Sequence, residues 1–234
     1  MKNLMKDWNL FEKSWLVVFT VLIVVLSLIW HDSIVGIICS LTGIWCVILV
    51  TKGKISNYYV GIVNVALYIF IAYNNQYYGE VMLNAVYFLP MQFVGWYMWV
   101  KHKNPADASA VVVKVLSGME RLTYTGASVL AVVLYGAFLK SIGGAMPYVD
   151  AMSTILSVIA MILMVTRYVE QWVLWIVVDV VTIVLWLAVM FQGGNDISML
   201  LMWTAYLINA IYGLYNWIKM YDKQNSTLVM LFKE

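Results

Sequence analysis

Eight long apolar runs constrain the fold of this chain more than any other feature of its sequence. A helix needs about 20 mostly apolar residues to cross a bilayer. Only 11% of the residues are charged, against about 25% in an ordinary soluble domain, so the chain lacks the charges that a water-facing surface requires. We predict an all-α membrane protein with eight transmembrane helices at 15–30, 34–51, 57–73, 81–100, 121–139, 148–166, 171–191 and 197–218.

The basic residues predict how these helices are oriented. With eight spans, both termini, the 51–56 loop, the 101–120 linker and the 167–170 loop lie on one side of the membrane. Thirteen of the 14 lysines and arginines fall on that side, and only Lys140 falls on the other. Basic loops stay in the cytoplasm, so we expect both termini to be cytoplasmic. The thirteen are Lys2, Lys6, Lys13, Lys52, Lys54, Lys101, Lys103, Lys114, Arg121, Arg167, Lys219, Lys223 and Lys233.

Several chemistries are missing from the sequence. There is no glycine-rich phosphate loop that would serve a nucleotide-driven pump, and no His, Cys and carboxylate cluster has metal-ligand spacing. The two histidines, His31 and His102, fall in loops on opposite sides of the membrane. No nucleophile lies beside a base, and a net charge of +2 is too small to suggest nucleic-acid binding. We therefore expect no enzyme, no metal site and no cofactor.

The fourth and eighth runs end on the same motif. Gly, Tyr, Trp and Lys recur at identical spacing in 95–101 and 213–219. Upstream, Asn64 corresponds to Asp179 if the 192–196 loop holds three extra residues. We interpret runs two to four and six to eight as two copies of a three-helix unit, which run five joins in parallel orientation. The alternative is chance similarity between helix ends rich in Trp and Tyr.

This interpretation divides the chain into five segments. The predicted segments are an N-terminal helix (1–32), a first three-helix repeat (33–101), a linker with its connecting helix (102–145), a second three-helix repeat (146–220) and a C-terminal tail (221–234).

A stripe of aromatic and polar side chains follows the seventh run. Trp172, Trp175, Asp179, Thr182 and Trp186 recur at helical spacing and fall within a sector about 80° wide. A carboxylate in the middle of a span costs at least ~2.5 kcal/mol, so Asp179 should face a cavity or a partner. The stripe therefore predicts a binding site. The alternative is that Trp172 and Trp175 belong to the aromatic belt at the membrane interface and that Asp179 caps a neighbouring helix.

Three other runs carry comparable stripes. Amides in a helix bundle can also simply bond neighbouring helices, and this alternative stays open for each of them. The second and sixth runs present small residues instead, which favour close packing. The stripes are Asn57, Gly61, Asn64 and Tyr68 in the third run, Asn84, Phe88, Met91 and Gly95 with Gln92 at the margin in the fourth, and Tyr206, Asn209, Gly213 and Asn216 in the eighth.

The order and spacing of these motifs resemble the PnuC family of vitamin transporters. The run Glu170-Gln171-Trp172-x2-Trp175-x3-Asp179-x2-Thr182 is similar to that family's second-repeat signature, as is Asn209-x3-Gly213-x3-Trp217. The first-repeat motifs are Gly61-x2-Asn64-x3-Tyr68 and Gly95-Trp96-Tyr97-x-Trp99. The resemblance covers roughly 34–220. It implies a SWEET-like fold, in which an N-terminal helix precedes a three-plus-one-plus-three core of parallel repeats.

The resemblance also implies a function, which is uptake of nicotinamide riboside across the bacterial inner membrane. Transport would be facilitated diffusion, with cytoplasmic phosphorylation trapping the vitamin. The partners would be this small molecule and the lipid bilayer, and the resemblance allows a homotrimer. We predict that the substrate contacts Trp175, Asp179, Thr182, Trp186, Tyr206 and Asn209 in the second repeat and Asn64, Tyr68, Asn84 and Gln92 in the first.

The chemistry of these residues fits such a cargo independently. Indoles and phenols stack on a planar ring and attract a cationic one, and Asp179 can offset the positive charge of the nicotinamide ring. Amides both donate hydrogen bonds to and accept them from ribose hydroxyls and a carboxamide. No lysine or arginine lies in the middle of a span, so the stripes contain nothing that would neutralise a phosphate.

Other functions remain open at this point. Relatives with the same fold are thought to carry other B vitamins such as thiamine or riboflavin, and a sugar would also suit Trp and Asn side chains. An intramembrane enzyme is disfavoured because no paired catalytic groups are present. In a non-transporting receptor or structural subunit, the polar stripes would be bonds between helices. A thermal-shift screen of small molecules on the purified protein would separate these classes.

Overall fold

Helices make up nearly all of the chain in this computed structural model, which describes residues 8–29, 33–105, 107–144, 146–191 and 197–231. Within these ranges the predicted all-α architecture is confirmed, with eight helical segments and one short hairpin. The elements are α1 (Leu10–Ile29), α2 (Ile34–Thr51), α3 (Asn57–Asn74), α4 (Tyr78–Leu83), a π-helical turn (Asn84–Phe88), α5 (Leu89–Lys101), β1 (Lys103–Asn104), β2 (Asp107–Val111), α6 (Gly118–Ser141), α7 (Pro147–Val165), α8 (Gln171–Phe191) and α9 (Ile197–Leu231).

Capping residues ahead of the first and fifth apolar runs allow α1 and α6 to begin earlier than those runs predicted. The side chain of Asn9 accepts a hydrogen bond from the Glu12 N–H, and the Glu12 carboxylate accepts one from the Asn9 N–H, both at 2.9 Å. Ser117 and Glu120 form the same reciprocal capping box ahead of α6. Each box satisfies N–H groups that a helix start leaves unpaired. Hence α1 begins at Leu10 and α6 at Gly118.

The fourth predicted span is a helix interrupted by a π-helical turn. Pro90 has no N–H, and its ring crowds the carbonyl one turn earlier. The N–H of Leu89 reaches back to the carbonyl of Asn84, five residues away, which widens the turn. π-Helical turns are rare within α-helices, and they often occur at functional sites. α4, the π-turn and α5 therefore form one segment across the predicted span.

The last helix runs well beyond its predicted end at 218. α9 has 35 residues, which corresponds to a length of about 52 Å at ~1.5 Å per residue. The hydrocarbon core of a bilayer is only about 30 Å thick, so the final turns lie outside it. Those turns contain Asp222, Lys223 and Gln224. The segment predicted as a tail from 221 is therefore helical as far as Leu231.

The helices are suited to a lipid environment. α1, α2, α6 and α7 each have the length and apolar composition that crossing a membrane requires. Large apolar side chains such as Leu130 and Val133 on α6 are exposed, as expected for surfaces that face lipid rather than water. The protein is a multi-pass membrane protein.

The chain divides into two compact units. The first contains residues up to 50 together with 54–96, and in it α3 packs against α4 and the π-turn. The second contains 51–53 and everything from 97 onward. There α7 packs between α6 and α8, and α8 packs against α9.

The linker before α6, which lies in the second unit, is ordered. After the hairpin of β1 and β2, the Val111 N–H donates to the Gly53 carbonyl at 3.0 Å. The Lys114 N–H donates to the Arg167 carbonyl, and the Lys114 carbonyl accepts from the Val169 N–H, both at 2.8 Å. Gly53 and Arg167 both have left-handed backbones, with φ of 61° and 71°. Burial lowers the pKa of the Lys114 ammonium, and the nearby Arg167 guanidinium lowers it further.

A glutamine on the extension of α9 holds the same linker. The Gln224 side chain accepts from the Val113 N–H at 3.0 Å and donates to the Val111 carbonyl at 3.2 Å. Both valines are almost completely buried. Gln224 lies on the extension of α9, beyond the predicted end of the span at 218. The linker and this extension are therefore bonded together at the end of the second unit that carries the basic residues.

The loops before α3 and α8 repeat one hydrogen-bond pattern. The Lys54 N–H donates to the Leu49 carbonyl at 2.9 Å, and the Tyr168 N–H donates to the Leu163 carbonyl at 2.8 Å. The interval from Leu49 to Leu163 equals the interval from Lys54 to Tyr168. This recurrence supports the proposed internal repeat, although the segment boundaries stay a prediction.

The first residues of α3 and α8 correct the predicted alignment of the two copies. Asn57 begins α3 and Gln171 begins α8, at the same interval as the loops that precede them. In this register Asn64 corresponds to Val178, so the predicted match of Asn64 with Asp179 is one residue out. The sequence alignment was anchored at the ends of the fourth and eighth runs, and the spacing between helix starts and those ends differs in the two copies.

Candidate functional site

α8 has two distinct faces. One face is exposed, and its side chains suit contact with lipid. The other face, centred about 150° away at ~100° per residue, carries the predicted stripe. There Asp179 is only 3% exposed and Thr182 is 9% exposed, so the stripe faces the interior of the second unit. The exposed face consists of Val173, Val177, Val180 and Val184.

The first tryptophan of the stripe is a packing residue. Trp172 is buried and meets the indole of Trp217 edge-on, with ring centroids 6.0 Å apart. Trp217 in turn packs against Trp99 at 5.8 Å, and the Trp99 indole N–H donates to the Met164 carbonyl at 3.0 Å. The three indoles form a core at the basic end of the second unit. Trp172 is therefore a residue of this core, whereas the alternative had placed it in the membrane-interface belt.

This tryptophan core fixes the heights of the polar residues on α8 and α9. Trp172 lies against Gly213 and Trp217, so the start of α8 meets the second half of α9. At ~1.5 Å per residue, Asp179 lies about 10 Å above Trp172. Asn209 lies about 6 Å above Gly213 and about 12 Å above Trp217 by the same rise. Asp179 and Asn209 therefore lie at about the same height along their helices.

Asn209 lies on the inward face of α9 among small residues. Ala205, Ala210 and Gly213 are buried on this face, and Asn209 itself is 3% exposed. The outward face carries apolar residues such as Ile211, which is 54% exposed. The amide of Asn209 can both donate and accept hydrogen bonds.

Two further side chains complete this layer. The Thr182 hydroxyl donates to the Val178 carbonyl of its own helix at 2.8 Å, so its oxygen can still accept a hydrogen bond. Tyr206 is half-buried and meets Trp203 edge-on, with ring centroids 5.8 Å apart. Together with Asp179 and Asn209, they provide acceptors, donors and an aromatic face within one layer of the second unit.

Among the residues that the structure describes, Asp179 provides the only acidic group of this layer. Among the described residues, none makes an ion pair or side-chain hydrogen bond with it. A buried carboxylate without a counter-charge is costly, and a cationic ligand would relieve that cost.

Trp175 is half-buried and lies one turn before Asp179 on α8. The predicted site residue Trp186 belongs to α8, but its side chain lies outside the described ones.

In the first unit, Asn64 bonds a neighbouring helix. Its amide nitrogen donates to the Cys39 carbonyl at 2.7 Å and lies 3.3 Å from the Thr42 hydroxyl, both on α2. The Cys39 thiol donates in return to the Asn64 carbonyl at 3.7 Å. The alternative that this amide connects helices is therefore favoured, and a substrate contact by Asn64 remains a prediction.

Tyr68 and Asn84 come together at an acidic residue that the sequence analysis missed. The Tyr68 hydroxyl donates to the Glu80 carboxylate at 3.4 Å. The Asn84 amide donates to the same oxygen at 3.3 Å and to the Glu80 carbonyl at 2.9 Å. The spacing of Glu80 and Asn84, one helical turn apart, could have indicated this pair. Glu80 was missed because it lies just before residue 81, where the fourth transmembrane helix was predicted to start.

Gln92 is buried against a glycine. It is 6% exposed, and a Cβ at Gly61 would lie 2.5 Å from its side-chain oxygen. That oxygen has no hydrogen-bond partner among the described residues, so it can accept a bond from a ligand.

No three His, Cys, Asp or Glu side chains come together within the described ranges, and that part of the chain offers no donor set for a metal ion.

Comparison with known proteins gives a consistent result. Residues 33–219 match the family described as nicotinamide mononucleotide transporters. A nicotinamide riboside transporter PnuC from Neisseria mucosa is 39% identical over 96% of this chain and 87% of its own. One from Haemophilus influenzae is 34% identical over 96% of both chains. The crystal structure of the vitamin B3 transporter PnuC has a TM-score of 0.80 and 39% identity, covering 94% of this chain and 96% of that one.

The matched region includes every predicted site residue and extends over nearly the whole chain. The fold, the motif order and the sequence identity agree, and the resemblance seen in the motifs is confirmed. This chain belongs to the PnuC family of membrane transporters.

Proposed function

We propose that this protein carries nicotinamide riboside across the bacterial inner membrane by facilitated diffusion. The observation that carries the proposal is the layer on α8 and α9, where Asp179 and Asn209 lie level on buried faces. The names of the relatives point to the same cargo. We further propose that both termini are cytoplasmic, that the protein performs no catalysis, and that it assembles as a homotrimer.

The layer matches the chemical groups of the riboside. The nicotinamide ring is planar and cationic, so it suits the half-buried indole of Trp175 and the carboxylate of Asp179. Asn209 can bond the carboxamide or the ribose hydroxyls in both directions. The Thr182 oxygen is an acceptor for a ribose hydroxyl because its own proton is engaged with Val178.

The same layer disfavours a phosphorylated cargo. A nucleoside phosphate brings about two negative charges at neutral pH. Two like charges about 5 Å apart repel by about 3 kcal/mol at an effective dielectric of about 20. In the described helices, lysines and arginines lie near a helix end, as Arg121 does, or beyond residue 218 on α9, as Lys219 and Lys223 do. We therefore propose the riboside, rather than the mononucleotide in the family's description, as the cargo.

This selectivity would make transport one-way in practice. A cytoplasmic kinase would convert the cargo into a phosphate ester that the carrier does not export. Trapping of this kind requires no ion gradient. Another B vitamin or a sugar remains the alternative cargo, and both lack the combination of a cationic ring with a carboxamide and ribose.

Uptake into proteoliposomes tests the proposal. Purified protein should equilibrate labelled nicotinamide riboside without a proton or sodium gradient and reach equal concentrations inside and outside. Asp179→Asn should slow this uptake, whereas Asn75→Ala, at the exposed end of α3, should not. Accumulation above the external concentration that depends on an ion gradient would show coupled transport instead. Uptake of thiamine, riboflavin or a sugar without uptake of the riboside would reassign the cargo.

A further inference from the structure

A crevice of about 650 Å³ opens in the second unit between α6 and the helices that follow it. It is lined by residues of α6, α7, α8 and α9 and by the end of the linker. None of the predicted substrate residues belongs to its lining. The crevice is therefore a separate feature of the molecule that transport does not account for.

The crevice is polar at one end and apolar along its depth. At its mouth the Arg121 guanidinium pairs with the Glu170 carboxylate at 2.9 Å, and the arginine side chain is 57% exposed. Glu170 is held in place because it also accepts from the Leu116 N–H at 3.1 Å. Deeper in, the lining is mostly aliphatic, with Val129 on α6 and Leu156 on α7, but it also includes Tyr124, Thr125 and Ser128 of α6. The Ser128 hydroxyl is already satisfied, because it donates to the Tyr124 carbonyl at 2.6 Å.

The depth of the crevice reaches from the membrane surface into the hydrocarbon core. On α6 the lining runs from Arg121 to Val129, which is about 12 Å at the helical rise. On α7 it runs from Leu163 to Leu156, about 10 Å by the same rise. Both helices are apolar enough to span a membrane. The polar mouth therefore lies at headgroup level and the aliphatic part at acyl-chain level.

The size and lining of the crevice suit an acyl chain better than water. A water molecule occupies about 30 Å³, and a mostly apolar cavity does not hold water well. A volume of about 650 Å³ is ample for the part of an acyl chain that follows this depth. A second copy of the chain that covers the crevice is the alternative occupant.

We propose that a phospholipid occupies this crevice, with an acyl chain along α6 and α7 and its phosphate at Arg121. The contacts of Arg121 to Glu170 use Nε and Nη2, which leaves the Nη1 end of the guanidinium for the phosphate oxygens. Arginine is well suited to this because its planar fork binds phosphate through parallel hydrogen bonds. α6 packs mainly against α7 and leaves a gap beside α8 and α9. The bound lipid would fill this gap.

Native mass spectrometry of the full-length protein tests this proposal directly. Protein purified in a mild detergent and stripped of lipid would be mixed with phosphatidylglycerol or with diacylglycerol of the same acyl chains. We expect one phosphatidylglycerol per chain to survive release from the detergent micelle, and diacylglycerol, which lacks the phosphate, to bind at least 5-fold more weakly.

Three variants locate the lipid. Thr125→Phe fills the crevice from α6 and should abolish retention, whereas Ala127→Phe, which adds the same bulk at an exposed α6 position outside the lining, should not. Arg121→Gln should weaken retention of phosphatidylglycerol by about 5-fold or more and leave diacylglycerol unchanged. If Thr125→Phe does not fold, Arg121→Gln alone decides the question.

Two results would overturn the proposal. One is equal retention of phosphatidylglycerol by the wild type, Thr125→Phe and Arg121→Gln. The other is a change of oligomeric state in Thr125→Phe without any lipid bound to the wild type, which would assign the crevice to contact between copies. Neither result depends on which vitamin is transported, because no substrate enters the measurement.

Discussion

A Cβ at position 213 would lie 2.6 Å from three carbons of the Trp172 indole, so Gly213 is what allows α9 to meet α8 at this height. Gly95 stands in the same relation to the ring of Tyr58 in the first unit. The motif that recurs in the sequence therefore has the same packing role in both units. A glycine leaves room for an aromatic ring, and this ring belongs to the second residue of α3 in the first unit and of α8 in the second.

Gly213→Ala should therefore destabilise the protein. The added methyl group has no space beside the indole, and overpacking of this kind costs about 1–3 kcal/mol. We expect a lower melting temperature of the detergent-solubilised protein. The matched control is Gly126→Ala on α6, where a Cβ would meet nothing within 4 Å; it should be neutral or stabilising by up to about 1 kcal/mol because alanine favours helix. Equal losses of melting temperature in both variants would contradict this explanation.

Asn209→Ala should weaken substrate binding while the protein still folds. The substitution removes a hydrogen-bonding side chain in the proposed layer and leaves a ligand group unpaired, which costs about 1–3 kcal/mol, or roughly 5- to 150-fold in affinity. Trp175→Ala should also weaken binding because the stacking face is lost. Titration calorimetry measures both, with Asn75→Ala as the control. Wild-type affinity in Asn209→Ala and Trp175→Ala would place the site elsewhere.

Gln224→Ala should loosen the linker. Loss of its bonds to Val111 and Val113 removes about 1 kcal/mol for each hydrogen bond. We expect amide hydrogen exchange at Val113 to become at least about 5-fold faster. Ser226→Ala lies on the same extension, where the serine hydroxyl bonds only its own helix, and should leave linker exchange unchanged. Unaltered exchange in Gln224→Ala would show that other contacts hold the linker.

Topology can be tested with reporter fusions. Alkaline phosphatase and a cytoplasmic fluorescent reporter, fused after residues 110 and 230, should both report the cytoplasm, as should a fluorescent protein fused near residue 3. A fusion after Gly143, between α6 and α7, should report the opposite side. A periplasmic signal at 110 would mean that the spans have been miscounted.

Apolar composition predicted the number and order of the helices because a membrane span carries its signal in a local stretch of sequence. Features that depend on individual residues were missed. The capping box of Asn9 and Glu12 extends α1 outside its apolar run, and the π-turn before Pro90 interrupts a run that looks continuous. The extension of α9 is polar, so hydropathy gave no reason to continue the helix beyond 218.

The candidate site was predictable in part. Helical spacing identified the buried face of α8, since Asp179 and Thr182 lie opposite the exposed valines. Spacing could not separate a ligand-facing amide from one that bonds a neighbouring helix, and the Asn64 amide bonds Cys39 of α2. Nor could it reveal that Tyr68 and Asn84 meet at Glu80, because that contact joins two helices.

Calorimetry with two ligands tests directly whether the site selects the riboside over its phosphate ester. The layer on α8 and α9 contains the Asp179 carboxyl, and the described spans place no cation beside it. We therefore predict that the purified protein binds nicotinamide riboside and that nicotinamide mononucleotide binds at least about 100-fold more weakly, as expected for a repulsion of about 3 kcal/mol. Comparable affinities for the two ligands would contradict the account, since the site would then have to supply a positive charge that this structure does not show.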